Sequence, residues 1–147
     1  MRQSGKNQKR TIAVLLTGLF MVQQTMGLSV FAASTISGVT NGGSGTFNID
    51  PTTKTNGTGF RHYQDFNLGQ GDVANLNFAD INTFVNMVDN QVVINGIVNS
   101  VRGNGFYNGK AVFISPNGMV VGASGVLNVG SLGVYAPNSI DYTNLKN

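Results

Sequence analysis

Residues 111–122 read AVFISPNGMVVG, two short runs of strand-forming residues on either side of Ser115-Pro116-Asn117-Gly118. Proline fixes φ at the second position of a β-turn, and Asn and Gly accept the conformations that follow. Each apolar run is too short for a helix and rich in Val, Ile and Phe. The stretch therefore reads as strand, rigid turn, strand.

The same pattern extends outward. Short apolar runs recur at 46–49, 60–68, 92–98, 126–129 and 132–135, separated by Gly and Asn. From residue 33 onward there are 17 Gly and 18 Asn and no glutamate, so turn formers are abundant and good helix formers scarce. This composition predicts an all-β domain. Residues 50–59 read as a flexible loop. Residues 80–90 read two ways. Ile81, Phe84, Val85 and Val88 have helical spacing behind Asp80 as a possible N-cap, whereas composition favours a strand.

A step of 20 residues relates Val92, Val112 and Leu132, and also Ile94, Ile114 and Val134. Gly105 and Gly125 keep it, as do Asn108 and Asn128. A repeat of this size suggests coils stacked on one another, with Asn side chains bonded along the axis. The repeat alone does not separate a β-helix from a β-sandwich.

The N-terminus is of a different kind. Arg2, Lys6, Lys9 and Arg10 precede an apolar run from Ile12 to Val22 and then a stretch of small residues. That is the order of a secretory signal peptide, and the run is too short to span about 30 Å of hydrocarbon. Cleavage is expected between Ala32 and Ala33, with Ser34 as the near alternative. Residues 1–32 are thus expected to direct the chain into the Sec machinery, leaving a domain of residues 33–147. That domain holds five basic residues and six aspartates, a net charge of −1. It lacks the basic surface that a nucleic-acid binder needs to displace counterions. With no cysteine, there is no disulfide framework.

Three blocks of the domain resemble the N-terminal secretion domain of two-partner secretion exoproteins, the filamentous-haemagglutinin type. The first is Phe60 to Leu68 (FRHYQDFNL), after the early strand at 46–51. The second is Val92 to Val98 (VVINGIV). The third and most specific is Ala111 to Gly122, followed by Val126 to Leu132, similar to the family's I-N-P-N-G-I-x-x-G and N-V-G-G-L steps. Ser115 stands where the motif has Asn, and Met119 where it has Ile. The family's N-P-N-L step has only Ala74-Asn75-Leu76-Asn77 as its nearest counterpart. The resemblance implies a right-handed parallel β-helix with N-terminal capping strands, and a secretion motif at Ser115, Pro116, Asn117, Gly118 and Met119. It also implies recognition, unfolded, by an outer-membrane β-barrel transporter, then folding at the surface of a Gram-negative cell. Family secretion domains are longer, so the domain is expected to be incomplete at its C-terminus. The effector would lie downstream: an adhesin or haemagglutinin contacting host-cell surfaces, or alternatively a cytolysin or contact-dependent toxin.

No enzyme, cofactor or metal is expected. His62 is the sole histidine and Asp65 its nearest acid, but no nucleophile elbow accompanies them. The aspartates lack calcium-loop spacing, and Gly69-Gln70-Gly71-Asp72 is only a fragment of a repeat-type calcium motif. Polysaccharide lyases share the β-helix, but Arg61 and Arg102 meet no evident acidic cluster. A free-standing carbohydrate-binding protein is a third reading. Phe60, Tyr63, Phe66, Phe106 and Tyr107 could then stack on sugars, although packing is their expected use.

Overall fold

Strand-forming residues between frequent turns close into triangular coils. The computed structural model describes residues 32–147, so the expected signal sequence up to Phe31 lies outside the described residues. Ala32 and Ala33 are exposed coil. They lead into β1 (Thr35–Ile36). The first coil follows as β2 (Thr46–Ile49), β3 (Thr53–Thr55), β4 (Thr58–Tyr63) and β5 (Phe66–Leu68). The second is β6 (Val73–Asn77), β7 (Thr83–Val88) and β8 (Val92–Ile94). The third is β9 (Ile97–Arg102), β10 (Gly105–Phe106), β11 (Lys110–Ile114) and β12 (Met119–Val121). β13 (Val126–Asn128), β14 (Ser131–Tyr135) and the helix α1 (Ser139–Lys146) complete the described chain. The fold is a parallel β-solenoid of about 3 turns.

Parallel pairing between coils builds three sheets. β2, β6, β9 and β13 form one, β4, β7, β11 and β14 the second, and β5, β8 and β12 the third. Residues 80–90 contain strand β7, with Phe84 and Val88 inward in alternation with Val85, so the helical reading is overturned. Residues 50–59 are not a loose loop. β3 folds back on β4 through Asn56-Gly57, both with positive φ (49° and 74°), a two-residue Asn-Gly hairpin turn.

The 20-residue step is not the coil length. Thr46, Val73, Ile97 and Val126 stack at intervals of 27, 24 and 29 residues. Thr58, Thr83, Lys110 and Ser131 stack at 25, 27 and 21. Val112 lies on Gly133 rather than Leu132, and Val92 lies on Met119 in a different sheet. Turn length varies from corner to corner, so no single period fits.

The coil interior is aromatic and aliphatic. Phe66 meets Tyr63 and Phe113 edge-on, both with ring centroids 5.3 Å apart. One polar pair sits among them. Buried Asn86 accepts from Tyr63 Oη (2.8 Å) and donates to the carbonyls of Phe84 (3.3 Å) and Val112 (3.2 Å). Burial drives the Tyr63 hydroxyl well above its ordinary pKa, with the Arg61 charge opposing, so it stays a neutral donor. At the corner between β8 and β9, a Cβ on Gly96 would lie 2.3 Å from the Asp72 carbonyl and 2.6 Å from that of Gly69. Only glycine lets the corners stack this closely.

On the outer face of the first sheet the expected asparagine stack is present and includes Asn128, but its other members are Asn99, Asn75 and Asn48 rather than Asn108. Asn75 donates to Asn48 (3.1 Å), Asn99 to Asn75 (3.0 Å) and Asn128 to Asn99 (2.8 Å). The N-terminal end is closed by antiparallel pieces on all three sheets: β1 on β5, β3 on β4, and a bridge from Asn41 to Phe47 of β2. Arg61 ties these together, donating to the carbonyls of Asp50 (2.9 Å) and Gly38 (2.6 Å) beside the Tyr63 ring.

Asn99, 8% exposed, has ladder partners on both sides, whereas Asn48 ends the ladder in solvent. Asn99→Ala is expected to cost about 1–3 kcal/mol and Asn48→Ala less than about 1 kcal/mol, read from urea midpoints at constant m-value. Equal effects would remove the ladder as a stabilising element.

Candidate functional site

The motif residues close the corner between β11 and β12. Gly118 N–H donates to the Ser115 carbonyl (3.1 Å), closing a four-residue turn with Pro116 second and Gly118 at φ +72°. Ser115 Oγ accepts from Asn117 N–H (3.1 Å) and donates to the Asn90 carbonyl (2.8 Å). Serine thus performs the local acceptor role that an asparagine side chain has in such turns. It adds a bond to the coil beneath, and it is buried. Asn117 is exposed and donates from Nδ2 to the Asp89 carbonyl (3.2 Å). The Gly118 carbonyl accepts from Val92 N–H (3.0 Å), which starts the register that pairs Met119 with Val92. Met119 packs half-buried against the core.

This corner is the third in a column. Beneath it, Asp89 N–H and Asn90 N–H donate to the carbonyls of Tyr63 and Gln64, each at 3.0 Å, and Asn90 Nδ2 donates to Asp65 Oδ1 (2.8 Å). Beneath that, Asp65 N–H donates to Ser37 Oγ (2.9 Å) and Ser37 N–H to the Asp65 carbonyl (3.0 Å). The motif turn is therefore bonded, corner on corner, to the N-terminal cap.

Beside the column stands a cluster that sequence reasoning missed. Asp89 Oδ1 accepts from His62 Nε2 (2.8 Å), Tyr142 Oη (3.0 Å) and Lys146 Nζ (3.2 Å). His62 is thus partnered by Asp89 and not by its sequence neighbour Asp65. Tyr142 and Lys146 belong to α1, which sequence reasoning also missed. Its local signals are Asn138, whose Oδ1 caps the N–H groups of Ile140 (3.0 Å) and Asp141 (2.9 Å), with Asp141 in the first turn and Lys146 in the last. Burial raises the Asp89 carboxyl, but hydrogen bonds from His62, Lys146 and Tyr142 outweigh it and hold the group below the usual carboxylate range. Burial, then the Asp89 bond and charge, push the Tyr142 hydroxyl well up. The cluster clamps a helix to the corner column.

The other candidates fall apart in space. Arg61 and Arg102 bond backbone carbonyls rather than acids, and Arg102 lies over the Tyr107 ring, 3.6 Å from its centroid. Asp72 accepts from Ser34 Oγ. Among the described residues no three His or acidic side chains converge as a metal-ligand set. Tyr63 and Phe66 are core residues, whereas Phe106 is largely exposed. No family model, curated protein or solved structure matches the chain.

Because the folded-state pKa of Asp89 is depressed, its clamp contributes above the unfolded carboxylate pKa, about 3.9, and is lost as pH falls through the folded value. Acidification from pH 6 to below about 4 should release α1, seen as Tyr142 becoming solvent-accessible in NMR or hydrogen exchange, before the solenoid unfolds. Asp89→Asn should leave α1 loosened at both pH values. Retention of a docked α1 in that variant would overturn the clamp.

Proposed function

We propose that the chain is the N-terminal secretion domain of an exported adhesin- or haemagglutinin-like protein. It crosses the inner membrane on its signal sequence and the outer membrane through a dedicated β-barrel transporter, and it folds as a β-helix at the cell surface. The observation that carries this reading is the position of Ser115 to Met119. The residues that resemble the family's motif form the turn that sets the third coil on the second, fixed to Asp89 and Asn90.

A physical mechanism follows. A domain closed at its N-terminal end by antiparallel strands has one edge on which coils can be added. Each coil buries inward aliphatic side chains such as Leu68, Ile94 and Val98, at about 25 cal/mol per Å² of apolar area, against the entropy of ordering its residues. Such growth outside the cell biases transit outward without a nucleotide. The motif turn would act early in each chain by fixing register, since a slip of one residue turns inward side chains outward.

The test is export of the full tagged chain from a Gram-negative host, with and without a transporter of the two-partner class taken from the genes adjoining its reading frame. Accessibility to external protease should require the transporter. Asn117→Ala should lower the exported fraction several-fold while leaving the periplasmic pool intact, because Asn117 is exposed and its loss removes one bond to the corner below. Identical distribution with and without the transporter would overturn the reading.

A further inference from the structure

Asn48, Asn75 and Asn99 of the ladder floor a shallow trough on the outer face of the first sheet. The turn after β9 reverses the chain, and β10 pairs antiparallel with Arg102 and Val101. This hairpin raises Phe106 over the ladder, 75% exposed. On one side of the ring is a depression of about 360 Å³ whose floor is those three asparagines. On the other is one of about 430 Å³ reaching Tyr107, Leu127 and Asn128. Phe106 borders both, and no charged side chain lines either.

The chemistry of this lining is narrow. Each ladder amide carries two N–H groups and two acceptor lone pairs, and its bonds along the axis use at most one N–H and one lone pair. What remains is a row of neutral donors and acceptors spaced by the inter-strand distance, about 4.8 Å. Beside the row stands the largely exposed Phe106 ring. Phosphate or nucleic acid would need cations, which are absent from the lining. A purely apolar ligand would leave the amides unsatisfied. A peptide added as a strand needs an open backbone edge, whereas this floor is the face of strands already paired on both sides at β6 and β9. Hydroxyl-rich rings with an apolar face match the amides and the aromatic together.

We propose that this trough binds a neutral oligosaccharide lying along the solenoid axis, with sugar hydroxyls on Asn75 and Asn99 and a pyranose face against Phe106. The site is independent of the export reading and would hold if that reading failed.

The test titrates the full chain with neutral cello-, chito-, malto- and galacto-oligosaccharides, and with acidic uronate oligomers and an unrelated peptide as comparisons. Expected are side-chain amide shifts confined to Asn48, Asn75, Asn99 and Asn128 with at least one neutral series. Phe106→Ala, at an exposed position where folding is unaffected, should weaken that binding by about tenfold or more. Phe60→Ala, another exposed aromatic remote from the trough, should leave it unchanged. Absence of shifts with every neutral series, stronger binding of the peptide or the acidic oligomers, or equal binding by Phe106→Ala would overturn the proposal.

Discussion

In-register stacking is the constraint on which the rest of this molecule depends. In a parallel solenoid each residue lies about 4.8 Å from its counterpart one coil away, so every position must tolerate its own neighbour above and below. Aliphatic and aromatic side chains satisfy this inward. Outward, a charged residue repeated in a stack would repel itself. Lys110 accordingly lies between Thr83 and Ser131 rather than on another base. Asparagine is suited to repetition because its amide donates to one neighbour while accepting from the other. Asn75 and Asn99 use it in this way between Asn48 and Asn128, and the scarcity of charge in the sequence is the compositional trace of the same constraint.

The corners carry what the strands cannot. A two-residue slip of a strand keeps its inward face inward, but a corner bonded to the corner below excludes that too and fixes register. Ser37, Asp65, Asn90 and Ser115 form such a column, while Gly96 lets the opposite corner approach too closely for any side chain. Inside, the Tyr63–Asn86 pair has the same effect, since a shifted register would leave two buried polar groups without partners. Specificity of register therefore rests on a few polar contacts, and bulk stability on the apolar interior.

The all-β class was legible in the sequence because short β-rich runs and Gly-Asn turns leave little room for helices, and the AVFISPNGMVVG block reads as a strand–turn–strand corner; the β-helix itself came from the resemblance, since the residues alone left a β-sandwich open. The coil length was not legible from a fixed step. The recurring signal is instead TFNI, VANL, IVNS and VLNV at residues 46–49, 73–76, 97–100 and 126–129, each with asparagine third. Its intervals differ because turns differ, so a periodic reading passes over it and over β6. The Asn56-Gly57 dipeptide marked a hairpin where low apolarity suggested a loop. The Asp89 cluster was hidden for a different reason. His62, Asp89, Tyr142 and Lys146 are brought together only by coil stacking and by α1, and no local pattern links residues so far apart in the chain.

The first coil of the solenoid is capped, and the cap bears on how the coils above it can order. At the first coil every sheet edge is met by an antiparallel partner, and Arg61 joins the cap loops by its guanidinium. An edge covered in this way cannot template further parallel strands. At the last coil Leu132 and Val134 stack on the inward residues Ala111 and Phe113, yet remain 42% and 45% exposed. The α1 helix is held instead to Asp89 on the second coil through Tyr142 and Lys146, with His62 of the first coil bonded to the same carboxylate. The capped first coil therefore offers a closed layer on which the second coil's inward Leu76, Phe84 and Val88 can settle in register.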